Sequence, residues 1–168
     1  ARLPEVNWRN FDIGCQLAEK SNVTTVLITS KGEATLYPEQ ITQFLERTQP
    51  YTFPIKELQT NGIAIAENWD KYVLHLDRWY EQGLSTIAIS CVHYDPARNK
   101  EIYSPHKPNY INLPQLIGGL HERRFSVRLA NIMLKGFIDS PGELEKMISF
   151  ARDKKAEQFS ARPVRAPQ

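Results

Sequence analysis

The amino-acid sequence predicts an α/β protein with parallel strands, and two observations support this class. Apolar runs rich in β-branched residues begin near positions 23, 54, 85, 125 and 156, mostly about thirty residues apart. The intervals between them carry helical patterns of apolar residues. Strands that alternate with helices in this way lie parallel, with the helices packed on the sheet. Five strands are too few for a closed eight-stranded barrel of about 250 residues, so we expect an open sheet or part of a barrel.

The predicted strands are 23–29, 54–59, 85–92, 125–136 and 156–161. The first contains Val23, Val26, Leu27 and Ile28 without clean alternation of apolar and polar residues. That pattern is typical of a strand that is buried on both faces, as in a parallel sheet covered by helices.

Apolar residues at helical spacing predict helices over 7–20, 38–47, 68–82, 114–123 and 140–154. Pro38 and Pro141 occupy the first turn, where proline is favoured. Ser140 and Glu143 form a capping box, and Gly83 ends the third helix. These signals fix the helix ends more firmly than hydrophobic periodicity alone.

The interval 93–110 is rich in Pro, Asn and Lys and is predicted to be an irregular excursion at the carboxyl edge of the sheet. Long loops at that edge often cover a binding site. No residue in this interval indicates a substrate class.

The composition describes a soluble globular protein, with 41% hydrophobic and 24% charged residues, and no interdomain linker interrupts residues 1–168. A net charge of +2 does not indicate a nucleic-acid partner, and the dense basic cluster 121–124 carries its own acid. No apolar run is long enough for a membrane helix and no signal peptide is evident, so we expect a cytoplasmic protein.

Cys15 and Cys91 lie far apart in apolar contexts, which favours buried free thiols over a disulfide. The four histidines share no ligand spacing with them, so the sequence predicts no metal site in this chain.

The stretch 28–38 joins the first strand to the helix that begins at Pro38. In parallel α/β folds such loops lie at the carboxyl edge, where ligands bind. Gly32 allows the backbone of this loop to approach a ligand closely.

Residues 30–36, Ser-Lys-Gly-Glu-Ala-Thr-Leu, resemble the G-G-E-P motif of radical S-adenosylmethionine enzymes in its variant form G-K-G-E-P-T-L. Ser30 replaces a glycine of the motif and Ala34 replaces its proline. In that family the loop binds the methionyl amino group of the cofactor, mostly through backbone oxygens. The resemblance therefore implies that Gly32 and Glu33 bind S-adenosylmethionine.

The next two strand ends extend the resemblance. The sequence Thr60-Asn61-Gly62 is typical of an ordinary tight turn. The family, however, also shows T-N-G at the end of its third strand. Ser90 matches a serine at the end of the family's fourth strand. The family often has an acid two residues later, where this chain has Val92. The resemblance implies that Thr60 and Ser90 contact the cofactor ribose or carboxylate.

Arg128 lies midway along a predicted buried strand, which requires an anionic partner or a wet cavity. The partner could be structural, with Glu33 and Glu57 as candidates. The family's fifth strand reads V-K/R-L-N before an apolar run and K-G, and its cation pairs with the cofactor carboxylate. By that resemblance Arg128 binds the carboxylate and Ile132 flanks the adenine.

One departure from the family pattern follows Arg128, and one further match ends the chain's last predicted strand. Ala130 stands where the family's Asn is usual, and Asn131 is one place too late to point to the same face. The last run ends in Arg162-Pro163, similar to the R-P that closes the family's sixth strand.

These matches occur in family order and imply the first helix through the sixth strand of the radical S-adenosylmethionine core barrel, with five of its six strands. The family's activity is the reductive cleavage of S-adenosylmethionine at a 4Fe–4S iron–sulfur cluster to a 5′-deoxyadenosyl radical. The cluster is held by a C-x-x-x-C-x-x-C loop after the first strand, which this sequence lacks. We expect a fragment of a longer enzyme that binds no cluster and is inactive as given, with no catalytic residue of its own and an unknown substrate.

Two alternatives stay open at this point. The chain could be a non-catalytic α/β binding module that has lost the cluster, or a phosphate-binding barrel enzyme that uses Gly32 and Lys31. Because the chain opens with Ala1 and lacks the first strand, we also expect strand 23–29 to present a free edge that favours self-association.

Overall fold

The computed structural model describes residues 5–164 and is built on one five-stranded parallel sheet. The strands are β1 (Thr25–Ile28), β2 (Ile55–Thr60), β3 (Leu84–Cys91), β4 (Ser126–Met133) and β5 (Gln158–Pro163). They neighbour one another in chain order. This half-barrel of parallel strands confirms the predicted fold class. Residues 1–4 and 165–168, which the predicted single domain includes, lie outside the described residues.

Helices connect the strands. They are α1 (Trp8–Lys20), α2 (Pro38–Arg47), α3 (Ile63–Glu67), α4 (Trp69–Glu81), α5 (Pro96–Tyr103), α6 (Leu113–Glu122) and α7 (Pro141–Asp153), with a short 3-10 helix at Ala34–Leu36. The five predicted helices correspond to α1, α2, α4, α6 and α7 and are confirmed within a few residues. The predicted cap of α7 is also present, since the Glu143 amide donates to Ser140 Oγ at 3.3 Å.

The interval 93–110 is not wholly irregular as predicted, because it contains α5. Asp95 caps this helix by accepting a hydrogen bond from the Ala97 amide at 2.8 Å, and Pro96 takes its first position. Asn99 is buried, and its Oδ1 accepts hydrogen bonds from the amides of Val92 and His93. The helix is anchored by polar bonds rather than by an apolar stripe, so hydrophobic periodicity does not reveal it.

The hydrophobic core lies between the helices and the convex face of the sheet. Leu58, Ile87, Ile89, Val127 and Leu129 alternate along the three central strands and are completely buried. Cys15 and Cys91 are both buried free thiols, as predicted.

Strand β1 is not buried on both faces, and that prediction was wrong. It pairs with β2 alone, and Leu27 is 46% exposed. The apolar run resembles a central strand in sequence, but it occupies the sheet edge, where nothing among residues 5–164 covers its concave side. The free edge itself agrees with expectation, while self-association through it stays a prediction.

No helix within residues 5–164 has the length and apolar character needed to cross a membrane.

Candidate functional site

A polar cleft of about 210 Å³ lies at the carboxyl ends of β1 to β4 and is here called the edge cleft. It is lined by Thr29, Ser30, Gly32, Glu33, Gln59, Thr60, Asn61, Ser90, Tyr103 and Ile132. Five of the six predicted cofactor residues, all except Arg128, are in this lining. The structure thus brings residues from four separate chain segments to one place, while their role in ligand binding stays a prediction.

Glu33 holds the loop after β1 against the end of β2. Its Oε1 accepts hydrogen bonds from the Thr35 amide at 3.0 Å, from Thr35 Oγ1 at 2.6 Å and from Thr60 Oγ1 at 2.7 Å. Its Oε2 accepts from the Asn61 amide at 2.8 Å. Four donors on one carboxylate fix its orientation, so the side chain of Glu33 holds the loop in place. Gly32 lines the cleft in the same loop.

The Thr60 hydroxyl is engaged in the same network. It donates to Glu33 and accepts from the Gly62 amide at 2.9 Å. Gly62 has a φ of 74°, and a Cβ there would lie 2.6 Å from Leu116 Cδ2. The turn after β2 therefore requires glycine both for its backbone conformation and for its contact with α6. Thr60 is 2% exposed, so it stabilises the turn from behind the cleft surface.

Ser90 and Ile132 form the other side of the cleft. Ser90 lies near the end of β3 in register with Ala130 of β4, and Ile132 lies two residues further along β4, in register with Arg162 of β5. Both are partly exposed. Together they present a hydroxyl and an apolar side chain to the same space.

Arg128 lies outside the edge cleft. Its position along β4 is four residues before Ile132, and it lines an adjoining cavity of about 60 Å³. Gln59 and Ile132 line both spaces, so the two adjoin each other on the concave face. The sequence left the partner of Arg128 open, and in the structure its Nη2 donates to Glu57 Oε1.

The ion pair of Glu57 and Arg128 is incompletely satisfied. The Nε of Arg128 is buried and has no hydrogen-bond partner among residues 5–164. Burial raises the pKa of the Glu57 carboxyl above its usual value, and this effect outweighs the lowering by Arg128 and Arg162. The site therefore holds two cations and one poorly solvated anion, which suits an additional anionic group beside Arg128.

Five lining residues of the cleft were not among the predicted cofactor residues: Thr29, Ser30, Gln59, Asn61 and Tyr103. Gln59 and Asn61 flank Thr60, and strand alternation could have placed Gln59 on the concave face. Tyr103 belongs to α5, which lacks an apolar periodicity, so no sequence signal placed it at the cleft.

A larger cavity of about 450 Å³ is lined by residues of α3, α4 and α6 and of the segment 109–112. Its polar lining, which includes Glu67, Gln115 and Glu122, is exposed, and Glu67 is engaged by Lys107 at 2.5 Å. Ligands of parallel α/β sheets bind at the carboxyl edge, so the smaller edge cleft is the better candidate site.

Within residues 5–164 no group of three or more His, Cys, Asp or Glu side chains could hold a metal ion. Burial raises the pKa of Cys91 to about 12, which keeps it a neutral thiol. The part of the chain that the structure describes therefore does not fit a 4Fe–4S cluster.

Comparison with known proteins identifies a fold likeness at low similarity. No family model matches the chain, and no curated protein matches its sequence. Among solved structures, the chain is similar to the crystal structure of methylornithine synthase (PylB), with a TM-score of 0.46 and 9% sequence identity over 95% of this chain and 61% of that chain. The chain thus spans less than two thirds of that structure, and a likeness at this score carries no weight for function.

Proposed function

We propose that the chain is part of the core barrel of a radical S-adenosylmethionine enzyme and that the edge cleft binds the cofactor. The observation that carries this proposal is the convergence of Gly32, Glu33, Thr60, Ser90 and Ile132 on one cleft. These residues were selected by motif from four segments of the sequence. Their common location at the carboxyl edge of a parallel sheet is where ligands of such sheets bind.

We assign a role to each residue on the basis of its contacts in the cleft. The carboxylate of Glu33 is occupied by four donors, so the backbone oxygens near Gly32 would accept from the methionyl ammonium of the cofactor. Thr60 would hold the turn in place. Ser90 would bind a ribose hydroxyl, and Ile132 would pack against the adenine. All of these groups are neutral or internally paired, which suits a ligand that is bound by many weak contacts.

Arg128 would bind the cofactor carboxylate from the adjoining cavity. Its unpartnered Nε supports this role, because a carboxylate could accept from it without displacing Glu57. The edge cleft alone is smaller than the roughly 300 Å³ typical of small-molecule sites. A ligand of this size would therefore extend from the cleft along the concave face toward Arg128.

The iron–sulfur cluster would supply the electron that cleaves the cofactor. Residues 5–164 do not fit such a cluster, so the proposal assigns them cofactor binding only.

Titration with S-adenosylhomocysteine tests the proposal without a cluster. We expect saturable binding by isothermal calorimetry. Ser90→Ala should weaken it about tenfold, the effect of one lost hydrogen bond. Ser85→Ala is the matched control, because Ser85 lies at the opposite end of β3, where its hydroxyl donates to the Lys56 carbonyl oxygen at 3.3 Å. The absence of saturable binding, or its displacement by inorganic phosphate, would contradict the proposal.

A further inference from the structure

Tyr103 lines the edge cleft and has no role in the proposed function. It is the last residue of α5 and lines the cleft together with Ser90 and Ile132. Its hydroxyl oxygen is buried and has no hydrogen-bond partner among residues 5–164. Because an unpaired buried hydroxyl costs free energy, its retention at a binding cleft needs an explanation.

The helix that carries Tyr103 is fixed to the end of β3. The side chain of Asn99 is 1% exposed, and its Oδ1 accepts from the Val92 amide at 2.9 Å and from the His93 amide at 3.3 Å. Its Nδ2 donates to the carbonyl oxygen of Asp95 at 3.2 Å. These bonds tie α5 to the strand that ends beside Ser90, so the Tyr103 ring is held at the cleft by a rigid support.

Tyr110 provides an internal comparison. Its ring centroid lies 6.3 Å from that of Tyr103, and its hydroxyl is also buried without a partner in the described part of the chain. Burial raises the pKa of both phenols well above the usual value of 10, so both are neutral donors at physiological pH. Tyr103 lines the edge cleft, whereas Tyr110 lines the separate cavity beside α6.

The surroundings of Tyr103 favour an acceptor on a ligand. Burial is the main cause of the raised pKa of Tyr103, and Cys91 and then the Glu33 carboxylate add smaller contributions. That carboxylate already accepts four hydrogen bonds and forms none with Tyr103. The phenol proton therefore has no acceptor in the described part of the chain, and an oxygen or ring nitrogen of a ligand beside Tyr103 would supply one.

We propose that the Tyr103 hydroxyl donates a hydrogen bond to the nucleoside half of the ligand in the edge cleft. This inference rests on the proposed function. The nucleoside half is favoured because Ser90 and Ile132, which would contact ribose and adenine, line the cleft with Tyr103 on the side of β3 and β4. The methionyl half would lie at the Gly32 loop.

The experiment compares Tyr103→Phe with Tyr110→Phe, since each variant removes one buried, unpartnered oxygen and keeps the ring. Binding of S-adenosylhomocysteine and of 5′-methylthioadenosine, which lacks the amino-acid group, is measured by calorimetry. We expect Tyr103→Phe to weaken both ligands about tenfold and Tyr110→Phe to change either less than twofold. Urea unfolding midpoints should not fall in either variant, which shows that both remain folded.

The outcomes separate the two proposals. If wild-type protein binds S-adenosylhomocysteine and Ser90→Ala weakens it while Tyr103→Phe does not, the role of Tyr103 is overturned and the proposed function stands. A loss confined to S-adenosylhomocysteine, with 5′-methylthioadenosine unaffected, would overturn the assignment to the nucleoside half. A wild-type protein that binds neither ligand would overturn the proposed function, and this inference with it.

Discussion

Glu33 lines the edge cleft and Glu57 pairs with Arg128 of the adjoining cavity, but their carboxylates are satisfied to very different degrees. Glu33 accepts hydrogen bonds from two amides and two hydroxyls within 3.0 Å. Glu57 is 6% exposed and makes its ion pair with Arg128, whose Nε is left without a partner among residues 5–164. The Glu33 carboxylate already accepts four hydrogen bonds and has a structural role. The Glu57 carboxylate belongs to an ion pair in which one hydrogen-bond donor of Arg128 is still unpaired.

The difference indicates how the two sites can act. A saturated carboxylate positions its neighbours and gains little from a ligand, because each new contact would replace an existing one. An unsaturated pair in a partly buried place gains from an added acceptor. We therefore expect Glu33 to affect mainly stability and Arg128 with Glu57 to affect ligand affinity.

The largest expected effect comes from Glu33→Ala. It removes the acceptor of four hydrogen bonds and leaves the Thr60 hydroxyl and the Asn61 amide without their partner, which should cost about 3 kcal/mol of unfolding free energy. Urea denaturation measures the loss. Glu46→Ala is the control, because Glu46 contacts Arg78 and Gln82 at the surface, where the expected cost is about 0.5 kcal/mol. Equal losses in the two variants would contradict the structural role of Glu33.

Arg128→Met should cost about 2 kcal/mol of unfolding free energy, because it leaves Glu57 buried without its cation. The value is set below that of a fully buried pair since the Arg128 side chain is 22% exposed. Arg78→Met removes the cation of an exposed pair and should cost less than about 0.5 kcal/mol. A loss for Arg128→Met as small as that of the control would show that the Glu57 pair adds nothing to stability.

The cost of Arg128→Met should also depend on pH. Burial holds the pKa of Glu57 in the folded protein above the usual 4.5 of the unfolded chain. Between the unfolded-state and folded-state pKa values, the folded protein binds more protons than the unfolded chain, so its stability falls as pH rises. Without Arg128 the pKa rises further and the window extends to higher pH. The substitution Arg128→Met should therefore cost less unfolding free energy below pH 4.5, where Glu57 is protonated, than near neutral pH. Urea midpoints over this range measure it, and a pH-independent difference would contradict the coupling of the two side chains.

Much of the fold could be predicted from the sequence because it depends on local signals. Apolar runs at a thirty-residue period, proline at helix starts and the Ser140 cap all act within a few residues. The burial of strand 23–29 could not be predicted, since an apolar run does not show whether it occupies the centre or the edge of a sheet. Helix α5 was missed because its anchor is the polar side chain of Asn99.

The candidate site was predictable in part for a related reason. Gly32, Glu33, Thr60, Ser90 and Ile132 each follow or end a strand, and parallel strand ends meet at one edge of the sheet. The partner of Arg128 could not be chosen from sequence, because Glu33 and Glu57 were equally acceptable anions. The choice depends on strand position, since Glu33 lies beyond the end of β1 whereas Glu57 lies within β2 on the same concave face as Arg128.

Glu57→Gln gives the smallest expected change in stability and tests most directly whether the Glu57 carboxylate, unlike that of Glu33, affects ligand affinity. Because burial already disfavours the charged form of Glu57, a neutral amide of the same shape should cost about 1 kcal/mol or less in unfolding free energy.

The same substitution should strengthen the binding of a carboxylate ligand. The guanidinium of Arg128 would lose its competing anion, and Arg162 would add an uncompensated positive charge nearby. S-adenosylhomocysteine, which carries a carboxylate, should then bind about threefold more tightly, while 5′-methylthioadenosine should bind as it does to wild type. Calorimetry with both ligands measures this difference. Unchanged affinity for the carboxylate-bearing ligand would mean that Arg128 serves only Glu57, and the contrast between the two carboxylates would then concern stability alone.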